Sequence, residues 1–134
     1  MAIEEALNSI LEDSGAVNAI VGEEIYPVFI PDDGSVPAVT YQQISGVRDQ
    51  TLSGPSGCVE CRFQINCWAK SYKEADQLAE AVRGALDGYS GTKQDVIIQV
   101  IHLIDEADLP VIAADNAELN RHCKRLDFQI WHYE

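Results

Sequence analysis

The first 47 residues contain no lysine and no arginine. Eight carboxylates stand in that stretch, at Glu4, Glu5, Glu12, Asp13, Glu23, Glu24, Asp32 and Asp33. Across all 134 residues, 9 basic side chains face 22 acidic ones, for a net charge of −13. So few cations exclude a surface that grips nucleic acid, because phosphate binding works by counterion release and needs a basic footprint. The acid excess serves solubility.

Other absences narrow the field further. No apolar run approaches the roughly 20 residues that cross a bilayer. The start has no positive region followed by an apolar core, so no secretory signal is expected and a cytoplasmic site of synthesis is. There is no G-x-G-x-x-G and no Walker-type loop, and "GPSG" at 54–57 is not a G-x-S-x-G elbow. Cysteine is limited to Cys58, Cys61, Cys67 and Cys123. Cys58 and Cys61 form a C-x-x-C, but a zinc ribbon needs a second pair and none follows. A redox pair would sit at a helix N-terminus. Here the pair lies in a strand, where odd spacing sends the two thiols to opposite faces. Reduced, ordinary thiols are expected. His102, His122 and His132 show no ligand spacing, and His102, between Ile101 and Leu103, reads as a core or edge histidine. No catalytic residue, metal or cofactor is called for.

What is present is a clear fold signal. From Cys58 to Trp68 the residues alternate, with Val59, Cys61, Phe63, Ile65 and Cys67 on one face and Glu60, Arg62, Gln64 and Asn66 on the other. Such alternation marks a strand buried on one side and favours an antiparallel sheet. A helix follows at once. Ser71 precedes Glu74 by three residues, the capping-box spacing. Tyr72, Ala75, Leu78, Ala79, Val82, Ala85 and Leu86 recur at three and four residues as one apolar stripe, and Gly88 suits a left-handed C-terminal cap.

The remainder reads more coarsely. Ile3, Ala6, Leu7, Ile10 and Leu11 predict an N-terminal helix, with a further helical turn over Val17, Ile20 and Val21 ending at Gly22. Ile25 to Ile30 predicts a short strand, and Pro27 inside it argues for an edge position or a bulge. "PDDGSVP" is a turn by composition. Ala38 to Ile44 predicts another strand, and Ser45 to Gly57 a long loop, either a flexible tip or an arm reaching a neighbouring subunit. "YSGTKQD" reads as a turn, Asp95 to Ile104 as a strand covered on both faces, and Asp105 to Asn120 as an acidic excursion. The last strand, Arg121 to Tyr133, puts Leu126, Phe128 and Ile130 on one side and Asp127, Gln129, Trp131 and Tyr133 on the other. The aromatics there either cap the core edge or meet a neighbour. The fold class expected is α+β. It is one domain over residues 1–134, with an antiparallel or mixed sheet of four to five strands against one long helix, plus the N-terminal helix.

The run "TLSGPSGCVECRFQINCWAKSYKEADQLAEAVRGALDGY" resembles the core of the tail-completion, or tail-terminator, family of long-tailed phages and prophages. "VGEEIYPVFIP", "PAVTYQQISG" and "RLDFQIWHYE" extend the resemblance over most of the chain. The resemblance implies a structural protein that caps the tail tube, ends its polymerisation and joins the tail to the head connector. In that family the working form is commonly a ring, often of six subunits. The implied partners are copies of itself, the tail tube protein and the head–tail connector, with no membrane and no specific nucleic-acid binding. The implied location is the head–tail junction of a virion assembled in a host cytoplasm. Candidate subunit contacts are Arg48, Asp49, Thr51 and Leu52 in the loop and the basic group Arg121, Lys124 and Arg125. The basic group would face the acidic N-terminal third of the next copy. A head-side connector or stopper is the alternative within the structural class, and a small enzyme or ligand-binding module the alternative outside it.

Overall fold

A computed structural model describes residues 3–22, 24–28, 37–51, 54–109 and 122–133, with backbone alone at 48–51, 54–58 and 109. Two helices open the chain: α1 over Ile3–Asp13 and α2 over Gly15–Val21. The stripe Ile3, Ala6, Leu7, Ile10 and Leu11 is buried as its spacing predicts. Ser14 sits between the two helices, where its hydroxyl accepts from the Val17 N–H at 3.4 Å and caps α2. Three strands and a helix follow: β1 (Ile25–Pro27), β2 (Ala38–Thr51), β3 (Gly54–Ala69) and α3 (Tyr72–Leu86). The chain closes with β4 (Gly91–Lys93), β5 (Val96–Leu109) and β6 (His122–Tyr133).

The strands form one six-stranded sheet in the order β1-β2-β3-β6-β5-β4. β1 runs parallel to β2, and every other pairing is antiparallel. The sheet is therefore mixed. It has more strands than expected because β4 lies in the segment "YSGTKQD", which composition assigns to a turn. The turn itself is only Gln94–Asp95, both at positive φ (50° and 63°). That pair of conformations makes the two-residue hairpin link matched to strand twist.

All three helices lie on one face of the sheet. α3 packs on β3 and β6, and α1 and α2 pack on α3 and the sheet ends. The core between the layers holds Phe63, Ile65, Leu126, Phe128 and Ile130 from the sheet and Leu78, Val82 and Leu86 from α3. The start of α3 follows the sequence reading. Ser71 Oγ accepts from the Glu74 N–H at 3.2 Å, and Gly88 takes φ 82° just past the helix. Tyr72 departs from the predicted stripe. It is 54% exposed, donates its hydroxyl to Asp108 at 2.9 Å and meets His122 edge-on. It lies in the first turn, beyond the span of α3 that covers the sheet.

Three strand expectations need correction. The predicted loop at 45–57 is mostly strand, because β2 and β3 continue as a two-stranded ribbon to the pair Thr51–Gly54. Alternation of polar residues with glycine and proline hides a strand whose partner is only its own hairpin mate. Residues Asp105–Leu109, read as an excursion, continue β5 against β6. β5 is also not covered on both faces, since Ile97 is 53% and Ile104 43% exposed. The cause is two β-bulges, one between Ile98 and Val100 and one between Leu103 and Asp105. Each inserts an extra residue and inverts the inside–outside alternation. Val96 and Ile98 point inward before the first bulge, and Ile101 and Leu103 after it, so a one-sided strand spells a continuous apolar run. Residues 31–36 of the "PDDGSVP" turn and most of the segment 105–120 lie outside the described residues.

Candidate assembly surface

The helix-free face of the sheet carries most of the organised polar chemistry. β3 and β6 form its middle, and their registers set Gln64 beside Asp127, Arg62 beside Gln129 and Glu60 beside Trp131. Asp127 is only 3% exposed, unusual for a carboxylate outside the helix-packed core. Arg62 pairs with it from β3, and Arg125 approaches it at 3.6 Å while also reaching Asp105 at 2.9 Å. Burying an ion this deeply is tolerated only with partners in place. Gln129 donates to Glu60, Gln64 donates to Asn66 at 3.1 Å, and the Trp68 indole donates to Thr40 at 3.0 Å. These ties link β2, β3, β6 and β5 across the middle of the sheet.

Toward the β2–β3 ribbon the same face turns apolar. Val47 is 63% exposed, Ile97 53% and Tyr133 39%. Trp131 lies among them, half-buried, with His102 edge-on at 5.7 Å. His102 is thus an exposed residue of the outer face and not of the core. His132, by contrast, points inward and is 2% exposed, which its sequence position near the end conceals.

The contact candidates separate. Arg48, Asp49 and Thr51 fall on β2 where it rises past the end of β1. Leu52 and Arg121 lie outside the described residues. Lys124 and Arg125 do not form one basic patch, because consecutive strand residues point to opposite faces. Lys124 turns toward the helices and bonds Asp76 of α3 at 2.9 Å, and that pairing raises its pKa. Arg125 turns outward to Asp105 and Asp127. Both cations already have partners within the chain. The feature sequence reasoning missed is the buried Asp127. Its signal was available in outline, as an acid and an arginine at outward positions of two central strands, but the pairing of those strands was not.

The three described thiols are shielded by their environment. Cys61, Cys67 and Cys123 are buried and free. Burial pushes Cys61 and Cys123 up to about 12, with Glu4 adding to the effect at Cys61, and burial raises Cys67 as well. A thiol that keeps its proton is neither nucleophile nor metal ligand at neutral pH. Among the described residues no group of His, Cys, Asp and Glu is placed to hold a metal ion. No helix among them is long and apolar enough to cross a membrane. One open cavity of about 250 Å³ is lined by Ile10, Asp13, Ser14, Ala85, Tyr89 and Lys93, and the Lys93–Asp13 ion pair lies across it.

Comparison with known proteins gives one family and one architecture. The family model for tail completion protein gp17 matches residues 5–122. A chain from the virion of native gene transfer agent (GTA) particle shares the fold with a TM-score of 0.72 at 16% identity, over 99% of this chain and 96% of that one. No curated protein matches.

Proposed function

The chain belongs to the tail completion protein gp17 family, and we propose that this phage tail structural protein caps the tail tube, ends its growth and joins it to the head connector as a ring. One observation carries the reading: the family match runs from residue 5 to 122, through the three helices and strands β1 to β5. The architecture shared from end to end with a chain of a phage-like virion supports a place in the particle, and we put that place at the head–tail junction. The mechanism is geometric. A ring matched to the end of the tube occupies the sites where further tube subunits would add. The outer face suits such work, with a hydrogen-bonded polar middle beside exposed Val47, Ile97 and Tyr133. The acid excess would let DNA pass without sticking, and a ring with a neutral or basic lumen would refute that part.

The test is direct. Purified chain is added to polymerising tail tube protein, and tube lengths and ends are read by negative-stain microscopy. Tubes should stop growing and carry a ring at one end. Tubes of unchanged length with bare ends would overturn the capping role.

A further inference from the structure

The two edges of the sheet are stepped, and the steps match. On one side, β1 covers β2 only at Val39, Thr40 and Tyr41. From Gln42 to Thr51, β2 has no strand on that side among the described residues. On the other side, β4 covers β5 at Val96 to Ile98, and bonds between Ile101 and the Gly88–Tyr89 backbone extend the cover to Ile101. From Asp105 to Leu109, β5 has no strand on that side among the described residues. Among the described residues each edge therefore has one projecting three-residue strand and one open recess.

The registers give the heights of these features. Tyr26, Thr40, Asn66, Arg125 and Ala107 form one row across the sheet. Gly91, Ile98, His132, Val59 and Arg48 form another. The β1 step thus stands level with the β5 recess, and the β4 step level with the β2 recess.

We infer that copies of this chain join edge to edge by a lap joint, β1 of one copy entering the β5 recess of the next while β4 of that next copy fills the recess beside β2 of the first. Laid side by side in the same orientation, two copies leave a gap one strand wide at both heights. β1 then runs antiparallel to the partner's β5, and β4 parallel to the partner's β2. Both pairings satisfy backbone groups that an open edge leaves to water. Pro27 offers no N–H at its edge, so β1 is a poor template for any longer foreign strand. The contact joins two different edges, so it is heterologous and closes into a ring when its rotation allows. The joint rests on the ring reading above and assigns that ring its seam.

Tyr26 and Ala107 test it. They share a row and the outer face, yet within one chain they are four strands apart, about 19 Å. A disulfide spans Cα atoms only about 4.4–6.8 Å apart. With Tyr26→Cys and Ala107→Cys combined in a Cys58→Ser background, mild oxidation should give a ladder of covalent multimers, and neither single variant should. Light scattering on the reduced protein separates the two claims. Rings that never cross-link overturn the joint and leave the ring standing. A chain that stays monomeric at every concentration overturns the ring and the joint with it. An independent variant is Thr92→Pro. The two-residue turn makes Lys93 and Val96 the bonded closing pair, so the Thr92 N–H faces away from β5. Its loss should shift the mass from ring to monomer with the far-UV spectrum unchanged, and a ring of unchanged mass would count against the joint.

Discussion

The two faces of the sheet are built on different principles. The inner face is a packed layer in which Phe63, Phe128, Ile101 and Ile130 have no solvent exposure. The outer face relies on directed pairs: Arg62 and Arg125 on Asp127, Gln129 on Glu60 and the Trp68 indole on Thr40. The contrast separates stability from recognition. Apolar burial on one side fixes the fold, and on the other side the positions away from the Asp127 pairs are free to vary in chemistry.

Substitutions can break this contrast. Phe128→Ala empties a fully buried inner site and should lower unfolding free energy by about 3–5 kcal/mol, measured by urea titration. A loss below about 1 kcal/mol would mean the inner layer is not the core. Asp127→Asn tests the outer principle. It should cost about 1–3 kcal/mol, since the arginines that cover the carboxylate lose their charged partner. The estimate sits at the lower end because the Arg62 side chain is 41% exposed. Ile97→Ala, on the outer face and half in water, should change stability by under about 0.5 kcal/mol. A larger loss would show that the outer patch is structural within the monomer.

The buried thiols sharpen the same comparison through pH. In the unfolded chain they ionise near 8.5, whereas burial holds Cys61 and Cys123 up to about 12. Above the unfolded value the unfolded state binds fewer protons than the folded one, so stability falls as pH rises. Stability should be flat from about pH 6 to 8 and decline from about pH 9 toward 12. Cys61→Ala should make the decline shallower. A decline of the same slope in that variant would assign it to other groups, such as Tyr41, whose pKa is raised by burial and by Glu4, Glu12 and Glu5.

Legibility in the sequence followed the same division. α3, the Cys58–Trp68 part of β3 and the Leu126–Ile130 part of β6 were readable, because each buries one face and keeps its period. β5 was not, because its two bulges invert the pattern twice and present an apolar run. The ribbon of β2 and β3 was not, because its strands support only each other. Of the candidate surface, the stretch around Arg48 falls on β2 beyond its pairing with β1, but the steps at both edges depend on pairings between strands distant in sequence. Lys124 and Arg125 are neighbours in the chain and lie on opposite sides of the sheet.

The turn at Gln94–Asp95 has a consequence beyond its own two residues. Both adopt positive φ without being glycine, a conformation that costs an ordinary residue about 1 kcal/mol or more. Asp95→Gly should therefore recover up to about 1 kcal/mol, readable as a rise in melting temperature. More important is what so tight a link forbids. With no slack, β4 cannot creep along β5 to meet a misplaced neighbour, so the height of its tab is set while the monomer folds. A particle whose seam used that tab would take its dimensions from a local bend in each subunit, and an error of one residue there would surface as a ring that fails to close.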